Sequence, residues 1–408
     1  MTSLKILICG GGCAGPALAF WLAKAGHQVI VVERFPALRA SGAQIDLRAQ
    51  GIEVAKRMGI LDAMRRQRVD EAGVAYVDAH DKVSGTTLAN TSGRGAQSLT
   101  SEYEIMRGDL VRILYEATKH DVAYVFGKTV ERFAQDDEKV VAYFSDGTSD
   151  VFDLLVGADG QGSRVRKAIL PADAPDPYRR FGLHVAYWFV PREEADGNVR
   201  KTYLCPGGRM IMRRTHSTTG SHVYFAVRDD AEEMSSLYRA PVEQQKEFWT
   251  QRFRGAGWQT ERFLEALKTT DSFYCHEIVQ VRTDTWYKGR VVLVGDAACC
   301  PSPMTGMGTT CSFVGAYVLA NEINQNSEDV SRAFANYEQR LRPFIDEVQT
   351  VYPWLIRLMT PDTQWAIAIL HFILSWLCFF RIPDLLVRFA PEERADRKLP
   401  DYPSWRRG

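Results

Sequence analysis

Hydrophobic and polar positions follow three rhythms along this chain, and their order predicts its elements. Residues 4–9 (LKILIC) form a short continuous apolar run, as expected of a strand buried on both faces of a parallel sheet. Residues 17–25 place Ala, Leu and Phe at helical spacing, Gly26 stops that helix, and residues 29–32 make a second β-branched strand. The continuous style returns in the strand that ends at Gly157 and in GRVVLVGDAA, residues 289–298. Period-two alternation marks 129–152, with turns at 136–138 and 146–147, and reads as a β-meander. It resumes near residue 176 in LHVAYWFV, KTYLC, RMIMRR and HVYFAVR, with a turn at 206–208, and predicts an antiparallel sheet. Helical spacing marks 52–64, the segment after Arg107, 242–253, 260–267, 315–323 and 344–359, where Pro353 should impose a kink. Residues 74–88 read as a hairpin and 89–101 as a polar loop.

Between the first strand and the first helix stand Gly10, Gly12 and Gly15, a G-x-G-x-x-G turn with Pro16 in the first helical turn. The second strand ends on Glu33. Such glycines let the backbone approach a pyrophosphate, the helix N-terminus offers free N–H groups, and the acid accepts from ribose hydroxyls. The turn predicts dinucleotide binding and leaves NAD(P) and FAD both open. The fold class is therefore α/β, with a Rossmann-type domain over 1–75, 102–175 and 275–343. It is interleaved with an antiparallel-sheet substrate domain over 76–101 and 176–274. Residues 344–408 form a C-terminal helical segment.

Composition narrows the partners. The chain has 408 residues, a length that suits two domains, and a formal net charge of zero, so nucleic-acid binding has no electrostatic support. Eight cysteines lie without C-x-x-C or metal-ligand spacing, which predicts free thiols and no metal. The first strand begins at Leu4, so no signal peptide is expected, and the expected location is cytoplasmic. Residues 365–380 (WAIAILHFILSWLCFF) are nearly all apolar but short of the roughly 20 needed for a span. They read as a buried or interface helix, or as one in peripheral contact with a membrane or docked on a partner.

Two further motifs choose the cofactor. VGADGQGSRVRKAI, from Val156, is a strand, a tight turn at Asp159 and Gly160, and a helix from about Ser163. VVLVGDAACCPSPMTGMGTTCSFVGAY, from Val291, ends a strand at Asp296 and opens a helix at Gly306 and Gly308. Asp296 can accept from ribityl hydroxyls, and the second glycine pair suits the pyrimidine edge of a reduced flavin. In this order the three motifs resemble those of the single-component FAD-dependent monooxygenases related to para-hydroxybenzoate hydroxylase. Within that family, GAQIDLRAQG and EIMRGDLVRIL are similar to segments of the tetracycline-inactivating flavin monooxygenases.

The resemblance implies that Gly10, Gly12 and Gly15 face the FAD pyrophosphate and Glu33 the adenosine ribose, with Arg34 near the adenine. It places Arg107 on the cofactor, Asp159 near the pyrophosphate, Asp296 on the ribityl chain, and Pro303, Gly306 and Gly308 along the isoalloxazine. Three positions depart from the family: Cys299 replaces His, Thr310 replaces Asn and Gly315 replaces Asp, all expected beside the flavin. By position, His184 and Arg209 match substrate contacts, with His184 the acid–base candidate and Arg209 a clamp for an enolate or carboxylate. Tyr187 and Trp188 point to opposite sides of one strand, one to core and one to substrate. Arg34, Arg48 and Arg166 are candidates for the phosphates of a transient NAD(P)H.

The function implied is NAD(P)H-dependent hydroxylation of an aromatic or polyketide-like small molecule, with O2 forming a C4a-hydroperoxyflavin. The alternatives are epoxidation or Baeyer–Villiger oxidation of a terpenoid or prenylated substrate, and a non-catalytic FAD scaffold acting through partners.

Overall fold

The computed structural model describes residues 2–38, 42–88, 103–229, 233–382, 399–400 and 402. The continuous apolar runs build one sheet. Its order is Tyr287–Lys288, Val291–Leu293, Leu154–Gly157, Lys5–Cys9, Gln28–Glu33 and Ala123–Phe126, parallel except for the first pair. Parallel pairing sets Cys9 beside both Gly157 and Val32, and Gly157 beside Leu293. The loops carrying the three motifs therefore leave the same edge of the sheet side by side, the position where open α/β sheets bind ligands. The helices Ala14–Lys24 and Gly308–Gln325 cover this sheet and bury Trp21, Leu22, Phe313 and Tyr317 in the main core.

The alternating segments build a seven-stranded sheet. Its order is Tyr274–Val281, Tyr178–Pro191, Gly220–Arg228, Arg209–Thr215, Val199–Cys205, Gly73–Val77 and Val83–Leu88. It is antiparallel except where Val199–Cys205 pairs with Gly73–Val77. This sheet reaches past the limits expected for the antiparallel domain, since Gly73–Val77 and Tyr274–Val281 both pair into it. One row of side chains, including Trp188, Ile211 and Phe225, packs under Trp249, Phe253 and Phe263 of the helices Val242–Phe253 and Thr260–Thr269. The meander forms its own three-stranded sheet over Val130–Gln135, Val140–Phe144 and Ser149–Phe152.

Several expected helices take different limits. The helix read at 52–64 is two, Ala49–Arg57 and Leu61–Arg66, parted at Gly59, whose φ of 75° ends the first. The predicted kink at Pro353 is a full break. Val330–Val348 ends, and Pro353 starts the separate helix Pro353–Met359, where its missing N–H costs nothing. The helix read at 315–323 spans Gly308–Gln325. The predicted loop at 89–101 lies outside the described residues. The apolar stretch forms the helix Gln364–Phe379, but only Ile367 in it is buried, which rules out a buried helix and leaves the interface and membrane-contact readings. Among the described residues no single helix is long and apolar enough to cross a membrane, although the pair Pro353–Met359 and Gln364–Phe379, bent by 93°, passes by length and composition together.

Candidate cofactor and substrate site

The glycine turn is fixed by close backbone approach. A Cβ on Gly15 would lie 2.0 Å from the Gly10 carbonyl oxygen, and one on Gly10, at φ 118°, would lie 2.4 Å from the Ala158 oxygen. The turn is thereby wedged against the start of the second motif. Helix Ala14–Lys24 begins without a capping side chain and without an acid in its first turn. Its first N–H groups and dipole are left for an anion. Glu33 accepts from the Gly11 N–H at 2.7 Å and the Phe35 N–H at 3.1 Å, so it braces the turn while keeping lone pairs for a ribose. Exposed Arg34 lies over the Phe35 ring.

Arg107 opens helix Arg107–Glu116 and brings a guanidinium nitrogen within 3.2 Å of where a Gly12 Cβ would stand. Asp296 opens the short helix Asp296–Cys299 after Gly295, at φ 62°. Burial pushes the Asp296 carboxyl up, while Cys300, Arg107 and Arg166 pull it down. Arg107 and Asp296 both act on Cys13 in the first turn, so the glycine turn, the Arg107 helix and the third motif lie close together. Asp159 is turned onto its own loop: it accepts from the Ser163 hydroxyl at 2.5 Å and the Arg164 N–H at 2.7 Å. It therefore shapes the second turn beside Gly10.

The third motif makes a tight loop. Ser302, at φ 77°, accepts from the Met304 N–H, Pro303–Thr305 forms one 3-10 turn, and Gly306 is left-handed at φ 64°. Helix Gly308–Gln325 follows, again with no capping side chain and no acid in its first turn. Thr310 is tied to the segment before helix Ala49–Arg57: it accepts from the Arg48 N–H at 2.9 Å and donates to the Arg48 carbonyl at 3.1 Å. That pairing holds Ala49 in its strained φ of 44°. The other two departures sit in the core rather than at the loop. Cys299 is buried, its thiol pushed up by burial, and a Cβ on Gly315 would lie 3.4 Å from Leu341. A side-chain methyl at Gly315 would therefore meet helix Val330–Val348 only in ordinary contact.

Arg166 is fully buried, donating to the carbonyls of Ala297 and Gln161 and to the Tyr178 hydroxyl, so it cannot meet a visiting phosphate. Arg48 pairs with Asp46 at 2.8 Å, 3.6 Å from where a Gly306 Cβ would stand.

In the seven-stranded sheet, His184 and Arg209 lie in the row that faces the helices. His184 is buried, with Nδ1 against the Tyr238 hydroxyl and Nε2 2.8 Å from the Asp229 carbonyl. Arg209 donates to the carbonyls of Pro206 and Arg252, the latter near the end of helix Val242–Phe253. Both are held by the helical layer, away from the cofactor motifs. The opposite row carries Tyr187, Phe189, His222, Tyr224, Tyr274 and His276, in ring contacts of 4.3–6.1 Å. This row faces the nucleotide domain. The Gln44 N–H donates to the Tyr224 hydroxyl at 3.3 Å, and Met304 of the glycine loop packs against the cluster of Leu183, Ala226 and Ile278. Tyr187 is therefore the outward member of its pair, while Trp188 is core and donates to the Phe263 carbonyl.

Tyr224 is hydrogen-bonded to His222 Nδ1 at 2.9 Å. Burial pushes the Tyr224 hydroxyl up to about 12 and pulls His222 down to about 3, so both are neutral at ordinary pH. Behind them Arg214 makes two bonds to Glu71, at 2.8 and 3.1 Å, and one to Glu104. The signal for this row was present in HVYFAVR, where His222, Tyr224 and Ala226 alternate with Val223, Phe225 and Val227. Among the described residues no three metal-ligating side chains cluster, and all eight cysteines are free.

Uncapped helix ends converging on one sheet edge, beside an aromatic wall, are the build of an FAD-dependent oxidoreductase. A family model described as FAD binding domain matches residues 3–350, and the chain belongs to that family. It is 38% identical to the FAD-dependent monooxygenase asL4 of Sarocladium schorii, over 99% of both chains. It is also 38% identical to the flavin-dependent monooxygenase eupH of Phoma sp, over 98% of both. The solved structure of tetracycline destructase Tet(51) superposes with a TM-score of 0.79 at 28% identity, covering 98% of this chain and 100% of that one. The chain is an FAD-dependent monooxygenase acting with O2 on a small molecule.

Proposed function

We propose that the protein uses NAD(P)H to hydroxylate an aromatic or polyketide-like small molecule held on the Tyr187, His222 and Tyr224 row. The observation that carries this reading is the row itself, a wall of aromatic rings turned toward the cofactor motifs. Bound FAD, once reduced, supplies the activation of O2. Gly10, Gly12 and Gly15 with the first helix would hold its pyrophosphate, Glu33 and Arg34 its adenosine end, and Arg107 and Asp296 its middle. Asp159 would hold the second turn in shape, and Pro303, Gly306 and Gly308 would line the flavin ring.

The wall's part is to stack a flat substrate and exclude water. Because Tyr224 receives the Gln44 N–H, its own proton goes to His222 Nδ1, which fixes the ring tautomer and the rotamer of both side chains. The pair orients a phenol or enol without carrying charge. A solved relative is named for destroying tetracycline, which supports a ring-fused, oxygen-rich substrate class. The test is turnover of a phenol and cyclic-diketone panel with NADPH under isotopically heavy O2. The expected product carries one heavy oxygen on ring carbon. A product whose added oxygen lies in an epoxide or a ring-expanded ester would transfer the reading to the terpenoid alternative.

A further inference from the structure

The C-terminal helix Gln364–Phe379 is built inside out. Its protein side carries its polar groups: His371 Nδ1 meets the Ser84 hydroxyl at 2.5 Å, and the Ser375 hydroxyl donates to the Ser84 carbonyl at 2.6 Å. Gly85 leaves room for Cys378, whose sulfur would lie 2.7 Å from a Cβ there. The outer stripe, at helical spacing, is Trp365, Ile369, Phe372, Trp376 and Phe379, exposed by 77, 44, 63, 53 and 80%. With Ile373 and Phe380 it presents on the order of 700 Å² of apolar surface, above the few hundred that soluble monomers usually leave open. An open apolar groove of about 270 Å³ runs along Trp365, Ala368, Ile369 and Phe372. Val83 and Leu88 of the adjoining edge strand extend the exposed apolar surface.

Charge selects the occupant. No charged residue stands between Asp362 and Arg381. Asp362, the one acid within residues 353–381, is bound to Arg228, while Arg357 and Arg381 are exposed. A protein partner, or a second copy, would meet a face whose hydroxyl and imidazole groups are already turned inward, whereas protein interfaces carry about one hydrogen bond per 100–200 Å². Two copies would also bring like charges together. Tryptophan rings with flanking arginines suit the headgroup boundary of an anionic bilayer, and a helix of 16 residues is too short to span it. We propose that this helix lies flat in the surface of an anionic membrane and docks the enzyme there. The docking does not depend on the oxidation proposed above.

The test uses the FAD-loaded full chain with vesicles of phosphatidylcholine, with and without phosphatidylserine. Flotation should carry the protein with the anionic vesicles. The double variant Phe372→Glu with Phe379→Glu should lower the bound fraction roughly tenfold, as should Trp365→Lys with Trp376→Lys made separately. Both should keep the flavin spectrum and the NADPH oxidation rate. A wild type that stays with the soluble fraction overturns the proposal. So does a wild-type dimer, by light scattering, that either variant converts to monomer.

Discussion

At the scale of single residues, the positions that shape the cofactor site are glycines and hydrogen-bond acceptors whose demands are local. Gly15 is required because its neighbour's carbonyl fills the space a side chain would need, and a six-residue pattern shows that without any tertiary information. The proposed substrate row is different. Period-two alternation reveals two rows on a strand, but which row the helices cover depends on distant packing. His184 was therefore legible as a sheet histidine and illegible as one turned toward Tyr238, while His222 and Tyr224 carried the same alternation unread.

His222 gives a prediction at this scale. Its imidazole is held near 3 in the fold, by burial first and then by Arg214 and His216, against an ordinary 6.5. Below 6.5 the unfolded chain takes up a proton that the folded one refuses, so stability falls as pH drops from 6.5 toward 3. His222→Asn keeps an acceptor for Tyr224 and removes the titration. Its urea-unfolding free energy should fall less steeply over that window, by up to ~1.4 kcal/mol per pH unit. Equal slopes for the two proteins would contradict the assignment.

At the scale of elements, sequence located most strands, because strand rhythm is set by burial on one face or two, but it missed Ala123–Phe126 and Tyr287–Lys288 at the two edges of the six-stranded sheet. It misjudged breaks. Pro353 begins a helix instead of bending one, and Gly59 divides another, since a breaker in a periodic run does not state whether the chain resumes its axis. The limits expected at 75/76 and 274/275 also fall inside Gly73–Val77 and Tyr274–Val281, because pairing is non-local.

The tie from the seven-stranded sheet to the segment just before Arg107 was not legible at all. Arg214 of strand Arg209–Thr215 reaches Glu71 beside its own sheet and Glu104 beside strand Ile105–Met106, just before Arg107. Arg214→Ala would leave two carboxylates buried together, an arrangement that costs about 3–5 kcal/mol. Chemical unfolding should show that loss, and adding Glu71→Gln and Glu104→Gln should recover part of it. A change below about 0.5 kcal/mol would mean the triad is solvated and not a tie between domains.

At the scale of the molecule, parallel pairing aligns three motifs from distant parts of the chain at one sheet edge, and the seven-stranded sheet sets its aromatic row against them. The chain then returns to close the nucleotide domain. Tyr402 donates to buried Glu322 at 2.9 Å, and the Pro400 carbonyl accepts from Tyr317 at 3.2 Å. The C-terminal helix is fastened at its start, through the bonds of the Gly207 and Gly208 N–H groups to the carbonyls of residues 362 and 361.

The central claim is that substrate meets the cofactor on the Tyr224 row and not on the His184 row. The most direct measurement is the anaerobic rate of flavin bleaching by NADPH, with and without phenols and cyclic diketones, in wild type, Tyr224→Phe and His184→Gln, each shown to hold FAD. The account predicts that a compound accelerating bleaching in wild type does so equally in His184→Gln and at least ~10-fold less in Tyr224→Phe. Acceleration that survives in Tyr224→Phe and vanishes in His184→Gln would contradict it.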